Sequence, residues 1–548
     1  MQNVILHRYV DPFPKRKVVL NRKLALLAAY AAFGLTSACA DGLRPEPLHS
    51  TNTINIPVNR QSPFYAEDRR RLSAVKRRTP VVHAKNVILF VGDGMGISTI
   101  TAARIRAGQL AGGNGEDHSL SFEAFPALGL IKTYEVNQQT ADSAGTATAM
   151  ITGAKTKAGM LSVAPDVELG DPLACTPQHA LTTLFEVAEQ AGLATGLVTT
   201  ARLTHATPAA MYAHSPHRNW ENDSLVPQGS NCRDIARQLV EFAPGDGLDV
   251  ALGGGRAQFL PQTVGGKRLD GRDLEAQWRQ RYGSDGQVVN DAQTLKASAV
   301  TRSSHLLGLF AASHVPYVED RPPTVPSLLD MTEAAISRLQ ANDKGFVLMV
   351  EAGRIDHAHH AGNAYRALAE AIELSAAVER ALAMTDPADT LILVTADHSH
   401  TLMITGYPTR GNPILGKVVS NDAHGNPRTE PSLALDGKPY TTLSYVNGNG
   451  YAEHRSPDAE EEPEDEAILA ASGRRLGLDA DTEAPDYHQE ALVPLRAETH
   501  GGEDVAVFAT GPGSAWIHGV QEQSYLFQVM ATALGFELPE PLPANSTP

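Results

Sequence analysis

Asn86-Val-Ile-Leu-Phe-Val91, followed at once by Gly92-Asp93-Gly94-Met95-Gly96, is the stretch whose reading decides the fold. A short, unbroken apolar run rich in β-branched residues predicts a strand buried on both faces, as in a parallel sheet covered by helices. The pattern recurs. Ala194 to Thr200 leads into His205 and Thr207, Phe346 to Val350 ends in Glu351, and Thr390 to Thr395 ends in Ala396-Asp397-His398. Thr499-His500 comes shortly before a last run, Asp504 to Ala509. Helical patterns lie between these runs: Gln178 to Ala191 after Pro177, Leu329 to Leu339 after Pro326, and Tyr365 to Met384. Alternating strands and helices predict an α/β fold with a mostly parallel central sheet flanked by helices in three layers.

Ligands of open α/β sheets bind just outside the carboxyl ends of the strands. Asp93, Glu351 and Asp397 all occupy that place. One such Asp is an ordinary helix cap; three on three strands, with histidines close by, predict a shared site. The segment Glu351-Ala-Gly-Arg-Ile-Asp356-His357-Ala-His359-His360 adds to it. Asp356 and His360 are four residues apart, so on a helix they share a face and can hold one cation. A mixed Asp/His set suits zinc, and a set of carboxylate and hydroxyl oxygens suits magnesium. His359 is expected to be solvated. Asp142-Ser143 opens the small-residue run Ala144 to Ala154. A serine there is either a helix cap or a nucleophile activated by a base or a metal.

The chain has 548 residues, 42% hydrophobic and 20% charged, which is ordinary for a soluble globular protein. Its formal charge of -16 argues against nucleic acid or an anionic membrane surface as the main partner. Residues 1–40 read as an export signal. Lys15-Arg16-Lys17 and Arg22-Lys23 precede the apolar run Leu24 to Ala38, which is short for a bilayer span. Ala38-Cys39-Ala40 fits a signal-peptidase site, while Leu35 to Cys39 resembles a lipoprotein box, making Cys39 a lipidation candidate. Either way the product is exported: periplasmic, anchored as a lipoprotein, or secreted. Cys175 and Cys232 then remain, and a pair in an exported protein suggests one disulfide across a long loop, with a metal site the weaker reading. Residues 41–83 are Pro-rich and charged and read as a flexible tether. Residues 405–496, rich in Gly, Pro and Asn, read as an irregular surface insertion, its acidic stretch Asp458 to Glu466 a solvated loop. Residues 538–548 read as a disordered tail.

Taken together, Val-Gly-Asp93-Gly-Met-Gly, Asp142-Ser143-Ala-Gly-Thr-Ala-Thr-Ala, Thr-His205-Ala-Thr207-Pro-Ala, Glu351 to His360, Thr-Ala-Asp397-His398-Ser-His and Glu-Thr-His500-Gly-Gly-Glu-Asp-Val closely resemble alkaline phosphatases. The resemblance spans roughly residues 84–535, with 84–404 and 497–537 as the catalytic domain and 405–496 as the crown-like insertion. His205 and His357 resemble the animal branch. It implies a broad phosphomonoesterase releasing inorganic phosphate through a phosphoserine on Ser143, with Arg218 clamping the phosphate. It also implies two zinc ions and one magnesium per subunit. One zinc would take Asp356, His360 and His500; the other Asp93, Asp397 and His398, with Ser143 oxygen. Magnesium would take Asp93, Thr207 and Glu351, with His205 and His357 near it as outer groups. Cys175 and Cys232 fall where the animal enzymes form a disulfide. A homodimer is a family expectation. Animal enzymes carry a further calcium whose acidic residues are Ala311 and Val325 here, so no such calcium is expected. The competing readings are a phosphodiesterase or sulfatase of the same superfamily, for which Ser143 with Arg218 is the wrong pair, and a non-catalytic metal- or phosphate-binding surface protein.

Overall fold

The computed structural model describes residues 53–77, 82–298, 304–450 and 480–542. The proposed signal with Cys39, the acidic stretch Asp458 to Glu466 and the last six residues lie outside the described residues. Ten strands form one sheet, eight of which are β1 (Asn86–Gly92), β2 (Ala127–Lys132), β3 (Ala194–Arg202), β4 (Val250–Gly254), β5 (Gly286–Val289), β6 (His305–Leu309), β7 (Phe346–Ala352) and β8 (Thr390–Ala396). Their spatial order is Gly519–Glu522, β2, Val505–Thr510, β8, β1, β7, β3, β4, β6, β5. Val505–Thr510 runs antiparallel to both its neighbours, and the remaining pairs are parallel.

Every residue of β1, β7 and β8 is buried. That is why they read as unbroken apolar runs rather than alternating ones. The register of β1 against both neighbours then places the chemistry. Gly92 pairs with Ala352 and with Ala396, and Val91 pairs with Glu351. Asp93 and Asp397, each one residue beyond its strand, therefore emerge side by side, with Glu351 at the end of β7. Gly94 makes the turn at φ +68°, and a Cβ there would lie 2.2 Å from the His400 ring. Only glycine fits on both counts.

Two groups of helices flank the sheet. Ile97–Leu110, Leu328–Leu339 and Ala364–Met384 pack together, as do Ser143–Thr152, Pro63–Lys76 and Tyr525–Ala533 with their neighbours. The helix expected over Gln178 to Ala191 begins only at Leu184, because Thr183 caps it in a capping box with Glu186 while Ala180 bridges to Val163. Residues 405–450 and 480–496 contribute Leu443–Gly448 and Ala491–Pro494 to a small sheet whose third strand, Leu402–Ile404, directly precedes them.

Two readings need correction at the chain's ends. The 41–83 segment, read as a flexible tether, contains the helix Pro63–Lys76. Its buried face is Tyr65, Asp68 and Leu72, at helical spacing. The middle member is a carboxylate that accepts from the Ser524 hydroxyl at 2.6 Å, so no apolar stripe shows in the sequence. The tail read as disordered from 538 starts with Leu538 buried, and Tyr65 donates to the Pro539 carbonyl at 2.8 Å.

Candidate metal centre

Ser143 is the first residue of the helix Ser143–Thr152 and is buried. The choice between cap and nucleophile turns on its neighbour. Asp142 is the cap: its Oδ1 accepts from the backbone N–H of Ala144 at 3.1 Å and of Gly145 at 3.0 Å. The Ser143 hydroxyl is left out of the capping and stands 3.1 Å from His398 Nε2 and 3.4 Å from Asp93 Oδ1. The other Asp142 oxygen accepts from Arg218 Nη1 at 2.9 Å and from Gly159 N–H at 3.0 Å. One carboxylate thus fixes the helix start and the arginine together.

Two sets of donors converge on Ser143 and its neighbours. In one, His398 Nε2 lies 3.4 Å from Asp93 Oδ1 and 3.4 Å from Asp397 Oδ2. In the other, His360 Nε2 and His500 Nε2 are 3.0 Å apart, and Asp356 Oδ1 is 3.3 and 3.4 Å from them. Ligands at zinc–nitrogen distances around a tetrahedral ion stand about 3.3 Å apart, so both sets have the spacing of a zinc shell. A third group brings Asp93, His205 and Glu351 together. Thr207 Oγ1, Glu351 Oε1, Asp93 Oδ2 and Asp397 Oδ2 are all buried without a hydrogen-bond partner. Orphaned oxygens at such density are what a hard cation satisfies.

The histidines are oriented for this role. His500 Nδ1 donates to the Ala141 carbonyl at 2.7 Å, His360 Nδ1 to the Glu498 carbonyl at 2.6 Å, and His398 Nδ1 to the Ser399 carbonyl at 3.2 Å. A carbonyl only accepts, so each ring carries its proton on Nδ1 and turns the Nε2 lone pair inward. Electrostatics agree. Burial, then the charges of Asp397, Asp356 and Glu351, push Asp93 well above the usual carboxylate range. Burial also raises Asp397, and lifts Glu351 to about 7. Burial drives His398 well below the ordinary histidine value. Cations would lower the cost of keeping Asp93, Asp397 and Glu351 ionised in this pocket.

Two members of the centre escaped the sequence reading. His400 is wholly buried between Glu498 and Asp356, with Nδ1 2.5 Å from Glu498 Oε2 and Nε2 2.8 Å from Asp356 Oδ1. Both ring nitrogens face carboxylates, which together outweigh burial and raise His400 to about 10. It therefore orients Asp356 as a double donor. Its signal was present: Ser399–His400 is extended, so His398 and His400 sit two apart along an extended segment. Glu498, two residues before His500 and within the quoted Glu-Thr-His500 motif, was given no role there. His359, expected in solvent, is instead buried, with Nε2 3.0 Å from Thr99 Oγ1 and Nδ1 2.8 Å from the Tyr445 hydroxyl. The helix Arg354–His360 packs against Ala364–Met384, and His359 is among its buried residues. His357 lies beside His205 of the third group, ring centres 5.3 Å apart, and His205 Nε2 is 3.4 Å from Arg218 Nη2. Away from the centre, Cys175 and Cys232 are joined in a disulfide that closes a 57-residue separation.

Comparison with known proteins points the same way. The alkaline phosphatase family matches over residues 84–536. The tissue-nonspecific alkaline phosphatase of Gallus gallus is 43% identical over 468 residues, covering 82% of this chain and 84% of that one. Alkaline phosphatase 4 of Drosophila melanogaster is 42% identical, covering 85% and 78%. Among solved structures, the alkaline phosphatase of Thermus thermophilus aligns with a TM-score of 0.59 at 27% identity, covering 83% of this chain and 92% of its own. That of the Antarctic bacterium TAB5, at 22% identity and a TM-score of 0.56, shares the fold. Family match, high identity across most of the chain and a cation-demanding pocket on the shared fold converge on one conclusion: the chain belongs to the alkaline phosphatase family, the metal-dependent phosphomonoester hydrolases.

Proposed function

We propose that the chain hydrolyses a broad range of phosphate monoesters through a phosphoserine on Ser143, with two zinc ions and one magnesium ion. Asp356, His360 and His500 would hold one zinc, and Asp93, Asp397 and His398 the other. Asp93, Thr207 and Glu351 would hold magnesium. The observation that carries the reading is the capped helix start: Asp142 does the capping, so the Ser143 hydroxyl is free for chemistry among the metal-spaced donors.

When bound, the divalent ions supply the positive charge that lowers the Ser143 pKa and takes up charge on the attacking and leaving oxygens. Ser143 Oγ attacks phosphorus in line with the leaving alcohol oxygen. The Arg218 guanidinium, aimed by Asp142, donates two N–H groups to non-bridging oxygens and holds the phosphoryl group still. The alcohol departs. Water then attacks the phosphoserine, Ser143 Oγ leaves, and inorganic phosphate is released. His205 and His357 stay neutral, because burial drives both well below the ordinary histidine value, so they serve as hydrogen-bonding walls rather than charges. Since the grip is on phosphate and not on the alcohol, broad specificity follows.

Family kinship supports a homodimer, which sedimentation tests. The basic residues ahead of Leu24 to Ala38 support export, with Cys39 the residue a lipid would take. Among the described residues, no helix is long and apolar enough to cross a membrane. The test of the chemistry is p-nitrophenyl phosphate hydrolysis with zinc and magnesium by wild type and Ser143→Ala. The variant should lose at least about a thousandfold in kcat while folding normally. Undiminished turnover by Ser143→Ala, or an inert metal-loaded wild type, overturns the proposal.

A further inference from the structure

Six half-buried side chains, the phosphate-clamping Arg218 among them, share a repeated design. Three histidines each face one arginine. Arg218 Nη2 is 3.4 Å from His205 Nε2, Arg354 Nη1 is 3.2 Å from His357 Nδ1, and Arg202 Nη1 is 2.5 Å from His314 Nε2. The rings are close together. His314 is centred 4.1 Å from His357 and 5.5 Å from His205. A guanidinium can only donate, so each facing nitrogen must accept, and each neutral ring keeps its proton on the other nitrogen. That leaves N–H groups at His205 Nδ1, His314 Nδ1 and His357 Nε2. The first two are buried and have no partner. Unsatisfied donors of this kind call for an acceptor.

The arginines differ in one decisive respect. Arg218 is neutralised by Asp142 at 2.9 Å, and Arg202 by Glu221 through contacts of 2.6 and 2.7 Å. Among the described residues, no carboxylate lies within ion-pair distance of Arg354. Its guanidinium instead stacks 3.7 Å over the Tyr317 ring, which holds it in place without cancelling its charge. Its Nε is buried and unpartnered. A fixed, uncompensated guanidinium bound to His357, whose ring packs 4.1 Å from that of His314 with its orphaned N–H, is built for a second anion.

We propose that Arg354, with His314 and His357, forms a second anion subsite that receives a second carboxylate or phosphate group on the substrate. It rests on the phosphomonoesterase reading and adds a preference to it: doubly anionic monoesters are favoured over neutral-tailed ones. His314, absent from the sequence-derived site, sits in the loop after β6 and is held there by Arg202.

The test compares 3-phosphonopropionate with propylphosphonate, which differ by one carboxylate, by calorimetric titration of metal-loaded wild type, Arg354→Met and Arg354→Lys. Wild type should bind the carboxylate-bearing ligand about tenfold more tightly or better, the usual worth of one charge-assisted pair. Arg354→Met should lose that preference while its propylphosphonate affinity stays within about twofold, and Arg354→Lys should keep part of it. Thermal midpoints show whether the variants are folded; the lysine variant preserves the charge if the methionine one is not. Turnover should follow, with the kcat/KM ratio of 3-phosphoglycerate to glycerol 3-phosphate falling to a similar degree. A preference retained in Arg354→Met, or absent from wild type, overturns the subsite. If wild type binds neither phosphonate and is inert on p-nitrophenyl phosphate, the phosphatase reading falls as well, so the two failures are distinguishable.

Discussion

Removing the metals should expose a charge defect that one substitution repairs. Glu351 is wholly buried at the end of β7, and burial lifts it to about 7 from 4.5. A carboxyl raised on folding contributes stability that is complete below its unfolded pKa and is lost as pH rises through the folded one. Here the loss runs from about pH 4.5 to about pH 7. At 1.36 kcal/mol per pH unit it amounts to roughly 3 kcal/mol, fully expressed at pH 8. Glu351→Gln removes the charge and keeps an acceptor for the Thr199 hydroxyl. At about 1 kcal/mol per degree for a chain of this size, metal-stripped Glu351→Gln should melt about 3 °C above metal-stripped wild type at pH 8 and no higher at pH 4.5. Adding zinc and magnesium should reverse the order, because wild type has the additional charge that cations satisfy. Differential scanning calorimetry with and without chelator reads both effects. A metal-stripped Glu351→Gln that melts below wild type at pH 8, or an equal gain on metal addition in both proteins, would refute the account of the centre as a pocket of uncompensated carboxylates.

Other consequences lie away from the chemistry. Glu189, buried beneath β3 and raised by burial to about 9, has one oxygen without a partner, so Glu189→Gln should stabilise the protein increasingly between pH 4.5 and 9, read as a pH series of melting temperatures. His359→Leu strands the Thr99 and Tyr445 hydroxyls and should cost roughly 2–4 kcal/mol by denaturant titration. Adding Thr99→Val and Tyr445→Phe should recover part of that, because removing both ends of a buried hydrogen bond costs less than removing one. Replacing Cys175 and Cys232 together by serine reopens a 57-residue separation and should cost about 4 kcal/mol, with p-nitrophenyl phosphate KM unchanged.

What the sequence made legible, and what it hid, has a physical pattern. The central strands were readable because β1, β7 and β8 are buried on both faces, which leaves unbroken apolar runs with a carboxylate at or just past each end. Asp93, Asp397 and Glu351 follow from strand ends alone. Asp356 with His360 follows from helical spacing, and the remaining candidates from the resemblance. Hidden features were those in which a polar residue does work normally given to an apolar one. Asp68 occupies the middle of a buried helical face, and its polarity disguised Pro63–Lys76 as a tether. His359 occupies a buried position where two hydroxyls satisfy it, so its polarity suggested solvent.

His400 and Glu498 were hidden for a different reason: their partners are remote in sequence. His400 is 44 residues from Asp356 and 98 from Glu498, and no local period connects them. Yet the same geometry explains why a buried cationic ring belongs there. Asp356 must keep its charge to hold a cation, and burial opposes that. In the metal-free protein His360, itself raised by Asp356, outweighs burial together with His400 and His500 and holds Asp356 well below the ordinary carboxylate range. Once His360 and His500 turn their lone pairs to a cation, His400 remains as the donor. Glu498 in turn keeps His400 charged from its far side. The centre therefore extends one layer beyond the residues that can touch a metal, and that layer is set by charge balance across the folded chain, which local sequence patterns do not record.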